Sequence, residues 1–238
     1  MKRHILGKLL KLRNYGLNKK TTSGDELGEE VPDNADAIRI FINAINKEVV
    51  EGRNCLALTS YIPQQGKTQI MQLVTRALSD VGYKTLLIDL NIPSPYLSQV
   101  ESVEGAKGIL DFIEILQVEK SDVTYSDIMP YIRRLEEENL YFLPCFEQIN
   151  SHYKKYIKKE NLQYIFHILK NKFDIILIEA PTFNELSYTQ SILEASDGYF
   201  MIIKKGKLLK REVFMINEKI EQIQGNLIGA ILNKSHHL

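Results

Sequence analysis

The sequence predicts an α/β domain built on a doubly wound, mainly parallel sheet with helices on both faces. Three observations point there. Apolar runs of strand length recur along the chain and alternate with segments of helical periodicity. These runs lack the polar alternation of a half-exposed strand, as expected of parallel strands covered on both sides. The first run also passes through a Gly-Lys-Thr turn directly into a helical pattern, the order in which such sheets present ligand-binding loops.

Each element has its own reason. In the first twenty residues, Ile5, Leu6, Leu9, Leu10 and Leu12 are interleaved with Lys2, Arg3, Lys8, Lys11, Arg13, Lys19 and Lys20. This reads as a short basic amphipathic helix that could lie on an anionic membrane surface or against a partner, or could dock on its own domain or fray as a tail. Residues 21–35 turn polar and read as a flexible linker, so the expected division is an arm and linker over 1–34 and one folded domain over 35–238. Ile38, Phe41, Ile42 and Ile45 fall at helical spacing over 35–50, followed by a short strand at Cys55–Thr59. Ile70, Met71, Leu73, Val74 and Leu78 mark the helix after the turn. Residues 84–90 read as a buried strand ending on Asp89. Further strands are expected at Leu140–Pro144, Asp174–Glu179, Gly198–Lys204 and Leu227–Asn233, and helices near 108–117, 160–172, 187–195 and 209–223. The polar, mixed stretch 118–139 yields no assignment.

Composition narrows the partners. The 238 residues are 44% hydrophobic with formal net charge zero, so the whole-molecule field gives no reason to expect nucleic acid. No apolar run approaches the roughly 18 residues of a membrane span, and the N-terminus lacks the apolar core of a signal peptide, which predicts a cytoplasmic protein. Cys55 and Cys145 lie far apart in apolar surroundings without metal-ligand spacing, and are expected to be buried free thiols.

The segment Thr59–Gln69 carries the chemistry. Gly66 would let backbone amides approach phosphate oxygens, Lys67 would place a point charge near the β and γ phosphates, and the Thr68 hydroxyl could ligate Mg²⁺. Gln65 and Gln69 flank this cradle, and Tyr61 stands where the strict pattern has a Gly. Ligands of such sheets bind beyond the carboxyl ends of the strands, so Asp89 and Glu179 should converge on the loop. Glu179 would hold Mg²⁺, and Asp89 is placed to ligate it or to accept a proton from an attacking hydroxyl. Either acid could equally be a strand terminus or helix cap.

Lined up in this order, the motifs resemble the cytoplasmic kinase domains of bacterial tyrosine kinases that control capsular and exopolysaccharide synthesis, within the wider MinD/ParA-like P-loop ATPases. The resemblance spans roughly 33–234. It rests on Asp36-Ala37-Ile38-Arg39, Thr59-Ser60 through Gly66-Lys67-Thr68, Leu86-Leu87-Ile88-Asp89 with Pro95, Phe173 through Pro181, Gly206-Lys207, Arg211-Glu212-Val213 and Leu232-Asn233-Lys234. It implies ATP and Mg²⁺ as cofactors, with Lys67, Asp89 and Glu179 as catalytic positions. Asn233 would sit beside the adenine, although it could also be an ordinary turn residue. The resemblance further implies a membrane polysaccharide co-polymerase or adaptor as partner, a location at the inner face of the cell membrane, and a homo-oligomer that uses Arg39. The departures are Gln64 and Gln65 for the usual Gly and Glu, Gln69 for Ser or Thr, Asn91 and Glu179 for Asp, Pro93 and Ser94 for basic residues, Ile42 for Arg and Tyr188 for an acid. The C-terminal Ser-His-His-Leu also lacks a tyrosine cluster. These losses keep two other readings open: a weakly active or inactive scaffold of the same machinery, and a MinD/ParA-type positioning ATPase at the membrane.

Overall fold

The computed structural model describes residues 9–12, 34–100, 107–118, 123–146, 157–183, 187–204 and 210–233. In chain order the elements are β1 (Leu9–Leu12), α1 (Asn34–Val50), β2 (Cys55–Ser60), α2 (Lys67–Asp80), β3 (Thr85–Asp89), α3 (Tyr96–Val100), α4 (Ile109–Val118) and α5 (Tyr125–Ile128). After a 3₁₀ turn come β4 (Arg133–Arg134), β5 (Leu140–Leu143), α6 (Lys159–Lys170), β6 (Ile175–Glu179), α7 (Ser187–Ala195), β7 (Gly198–Lys204), α8 (Lys210–Gln222) and β8 (Leu227–Asn233). The strands form one sheet in the order β1-β8-β7-β2-β6-β3-β5-β4, parallel except where β4 pairs antiparallel with β5.

The central strands are buried on both faces, and their residues alternate between two apolar layers. Leu56 and Leu58 of β2 and Ile175 and Leu177 of β6 pack with Phe41 and Ile45 of α1 and with Ile70, Met71, Val74 and Leu78 of α2. Ala57, Ile176 and Ile178 face the other way, onto Phe112 and Ile113 of α4, Leu162, Ile165 and Phe166 of α6, and Ile192 of α7. This two-sided burial is why the sequence shows continuous apolar runs. Phe41 meets Phe200 of β7 edge to face, with ring centroids 4.8 Å apart. Phe41 is fully buried, so Phe41→Ala should cost about 3–5 kcal/mol in equilibrium urea unfolding while leaving the opposite layer intact.

The expected helices and strands are present to within a residue or two, and α7, β7 and β8 have the expected bounds. One expectation is corrected. Leu9–Leu12 is not helical: it forms the outer strand of the sheet, paired parallel with β8 in the register Leu9 to Ala230 through Leu12 to Asn233. The uncovered edge of β8 offers backbone donors and acceptors that a neighbouring segment satisfies as a strand, and this outweighs local helical spacing. The rest of the basic arm, the linker to residue 33, Gly206-Lys207 and the C-terminus from Lys234 lie outside the described residues.

The unassigned stretch holds α5, whose N-terminus is closed by a capping box in which Thr124 and Asp127 satisfy each other's backbone amides. Both cysteines are free and buried, as expected, and burial pushes the Cys55 thiol well up. Among the described residues no helix is long and apolar enough to cross a membrane.

Candidate functional site

The turn between β2 and α2 is held open by backbone conformation. Gly66 precedes α2 in the left-handed region, at φ +83°, and a Cβ there would lie 2.3 Å from Asn233 Nδ2. Glycine is therefore required twice, by conformation and by space. Gln64 also has positive φ, at +59°.

Two strand ends tie the turn down. Gln65 is buried; its carbonyl accepts a hydrogen bond from Asn233 Nδ2 at 2.9 Å, and its Oε1 accepts the backbone N–H of Lys204. Lys204 and Asn233 are register partners at the carboxyl ends of β7 and β8. Asn233 thus holds the loop itself, a role the motif order did not suggest. Tyr61 turns into the apolar layer with Ile92 and Phe183, so its bulk is taken up by the core.

Lys67 opens α2 and is mostly buried, with Nζ donating to the Ala180 carbonyl at 2.5 Å. The Thr68 hydroxyl donates to Glu179 Oε1 at 2.6 Å, and Asn91 Nδ2 reaches the same oxygen at 3.3 Å. Asp89 and Glu179 are register partners at the carboxyl ends of β3 and β6, and both are buried. Asp89 Oδ1 accepts the Asn91 N–H at 3.0 Å, and Oδ2 accepts the Ser98 N–H at 3.0 Å and the Ser98 hydroxyl at 2.7 Å.

Burial dominates the electrostatics of both acids. It pushes the Glu179 carboxyl up from 4.5 to about 7, with Lys67 opposing and Asp89 adding to the rise. Burial also raises Asp89, against the pull of its bonds to Ser98 and Asn91. Two buried acids beside one lysine form a site short of positive charge, which a bound cation would supply.

Lys67, Thr68, Asp89, Glu179, Gln65, Gly66 and Asn233 therefore meet at one end of the sheet, while Gln69 is exposed on the first turn of α2 with Oε1 facing Gly66. The residues fit a Mg²⁺-bound polyphosphate. The glycine cradle has no room for a side chain, the lysine lies behind it, and a hydroxyl and a carboxylate are paired as Mg²⁺ ligands would be. No group of three or more His, Cys, Asp or Glu able to hold a metal exists among the described residues, so a metal here would draw further oxygens from phosphate and water. Two contributors escaped the sequence reading. Ser98 follows Asp89 at a distance no local pattern marks, and Asn91, a departure from the motif's acid, donates to Glu179.

No family model matches the chain. It is 26% identical over 200 residues to the tyrosine-protein kinase CpsD of Streptococcus agalactiae serotype III, covering 84% of this chain and 80% of that protein. It is also 26% identical to the putative tyrosine-protein kinase CapB of Staphylococcus aureus, over 75% of this chain and 74% of the relative. The chain is similar in sequence to bacterial tyrosine-protein kinases. Among solved structures, the kinase domain of the Escherichia coli tyrosine kinase ETK superposes with a TM-score of 0.75 at 17% identity, over 95% of this chain and 89% of that one. The Pyrococcus furiosus cell division ATPase MinD gives 0.56 at 19% identity, over 76% and 72%. The fold is thus that of the MinD-like P-loop ATPases, as the motif order implied.

Proposed function

We propose that this chain is an ATP- and Mg²⁺-dependent protein-tyrosine kinase of capsular or exopolysaccharide synthesis and export. In this reading it works at the inner face of the cell membrane with a membrane chain-length regulator or adaptor. One observation carries the reading: Lys67, Thr68, Asp89 and Glu179 converge on a glycine cradle in a chain whose relatives are named tyrosine kinases. The backbone of Gln65–Gln69 and the Lys67 ammonium would hold the phosphates, and Thr68, Glu179 and Asp89 the Mg²⁺. Bound Mg²⁺-ATP supplies a transferable phosphoryl group and neutralises the charge that develops on it. The protein positions that group and offers Asp89 Oδ1 to take the proton of an attacking tyrosine hydroxyl. The partner rests on the family resemblance, a homo-oligomer on exposed Arg39 of α1, and contact with anionic lipid on the basic composition of residues 1–20 outside β1.

One observation favours weak catalysis. Asn91 brings an amide where the resemblance expects an acid, and it occupies Glu179. Binding could survive such a change while turnover falls, which would make the chain a scaffold.

The test is transfer from labelled ATP to a Glu/Tyr copolymer with Mg²⁺, with and without Lys67→Ala. Transfer that the substitution lowers at least about a hundredfold supports the kinase reading. Lys67-dependent ATP binding without transfer supports the scaffold, and absence of both refutes the nucleotide site.

A further inference from the structure

Asp89 is the acid that this reading gives a proton to accept, and it is held by a residue the resemblance does not mention. Ser98 is buried at 1% exposure in the short helix α3. Its hydroxyl accepts the backbone N–H of Cys145, beyond β5, at 2.8 Å and donates to Asp89 Oδ2 at 2.7 Å, while its own N–H reaches the same oxygen at 3.0 Å. A hydroxyl has one proton, so accepting from Cys145 leaves that proton aimed at Asp89. Three chain segments, at β3, α3 and the end of β5, are thereby locked through one oxygen.

The consequence is atomic. A carboxylate oxygen has two lone pairs in its plane, and both donors from Ser98 converge on Oδ2. Oδ1 takes the single N–H of Asn91. Among the described contacts Oδ1 therefore keeps the free lone pair. Without the Ser98 hydroxyl one backbone N–H would remain on each oxygen, so Oδ2 would regain a free lone pair, the carboxylate would be held less tightly, and Oδ1 would no longer be favoured at the reacting group. Directional reactions respond steeply to such loosening, since displacements near 1 Å can cost about a hundredfold.

We infer that Ser98 is a positioning residue: it saturates Oδ2 of Asp89 and presents the one free lone pair of Oδ1 to the rim, where it accepts either a water of the Mg²⁺ shell or, in transfer, the reacting hydroxyl's proton. This rests on the proposed kinase reading, and it assigns Ser98 an effect on turnover and on the Mg²⁺-dependent part of ATP affinity rather than on the affinity for ATP alone. The Thr75 hydroxyl, equally buried but bonded within α2 to the Met71 and Gln72 carbonyls, supplies a matched control.

The experiment compares the full chain with Ser98→Ala, Ser98→Thr and Thr75→Val. Transfer to the Glu/Tyr copolymer is followed by kcat and KM, ATP affinity by calorimetry with and without Mg²⁺, and folding by thermal melting. Ser98→Ala is expected to lower kcat about tenfold to a hundredfold and to reduce the gain in affinity that Mg²⁺ brings, with ATP affinity in the absence of Mg²⁺ within about twofold. Ser98→Thr, which keeps the hydroxyl, should recover most of both, and Thr75→Val should resemble the unaltered chain. If the unaltered chain binds Mg²⁺-ATP without transferring phosphate, the loss of Mg²⁺-dependent affinity in Ser98→Ala decides. An unchanged kcat and unchanged Mg²⁺ dependence in a folded Ser98→Ala overturns the inference and leaves the kinase reading standing. Equal losses in Ser98→Ala and Thr75→Val that follow melting temperature also overturn it, by reducing Ser98 to a structural part. Absence of any Mg²⁺-ATP binding by the unaltered chain removes the kinase reading and this inference together.

Discussion

Glu179→Gln should make the nucleotide-free protein more stable above neutral pH while weakening its Mg²⁺-dependent hold on ATP. The Glu179 carboxyl is pushed up to about 7 in the fold, chiefly by burial, from 4.5 for an ordinary glutamate. Between those values the folded state holds a proton that the unfolded chain releases. Its contribution to stability is complete below about pH 4.5 and declines as pH rises through 7. The loss amounts to about 3 kcal/mol at pH 8, the opposing attraction of Lys67 being already contained in the shift. Asp89 is raised for the same reason and adds to the same trend. Gln keeps the acceptor that Thr68 and Asn91 use and removes the charge. Melting curves at pH 5 and pH 8 should therefore show the unaltered protein losing stability with pH and the variant changing less, with a gain of about 5 °C or more at pH 8. Calorimetry should show the benefit of Mg²⁺ for ATP binding falling in the variant. A variant less stable than the unaltered chain at pH 8 would mean that Glu179 is held charged by Lys67.

Gly66→Ala should weaken nucleotide binding about a hundredfold and should be partly rescued by a second change at Asn233. The new Cβ would meet Asn233 Nδ2 at 2.3 Å and would have to sit at φ +83°. The left-handed conformation costs about 1–2 kcal/mol for a non-glycine residue. Relieving the clash pushes away the amide that holds the Gln65 carbonyl, and the loop loses its anchor to β8. ATP affinity is expected to fall by about a hundredfold, with a loss of about 2–3 kcal/mol in global stability. Asn233→Ala alone removes the anchor without the clash and should cost less. In the double variant the clash is gone and the left-handed strain remains, so the losses should be less than additive. Strict additivity in calorimetry and melting would show that Asn233 does not hold the loop.

The fold was legible because burial on both faces writes long apolar runs, as at β6, β7 and β8. What stayed hidden depended on partners distant in sequence. Leu9–Leu12 carries leucines at both helical and strand spacing, and only the open edge of β8 decides between them. Arg133–Arg134 forms a strand of two charged residues with no apolar signal, defined by Phe142 and Tyr141 opposite. Within the site, Gly66, Lys67, Thr68, Asp89 and Glu179 announced themselves through residue type and position at strand ends. Ser98 could not, because its role exists only where β3, α3 and the end of β5 meet. Asn91 and Gln65 counted as departures when set against a motif. In three dimensions they are connections, one to Glu179 and one to the ends of β7 and β8.

The central claim is that the turn before α2 encloses the phosphates of an adenine nucleotide with Lys67 behind them. Isothermal titration of the full chain with ATP and Mg²⁺, repeated with Lys67→Met, tests it most directly. The account predicts one binding site per chain, strengthened by Mg²⁺ and weakened about a hundredfold or more by the substitution. No heat of binding, or equal affinity in the two proteins, would contradict it.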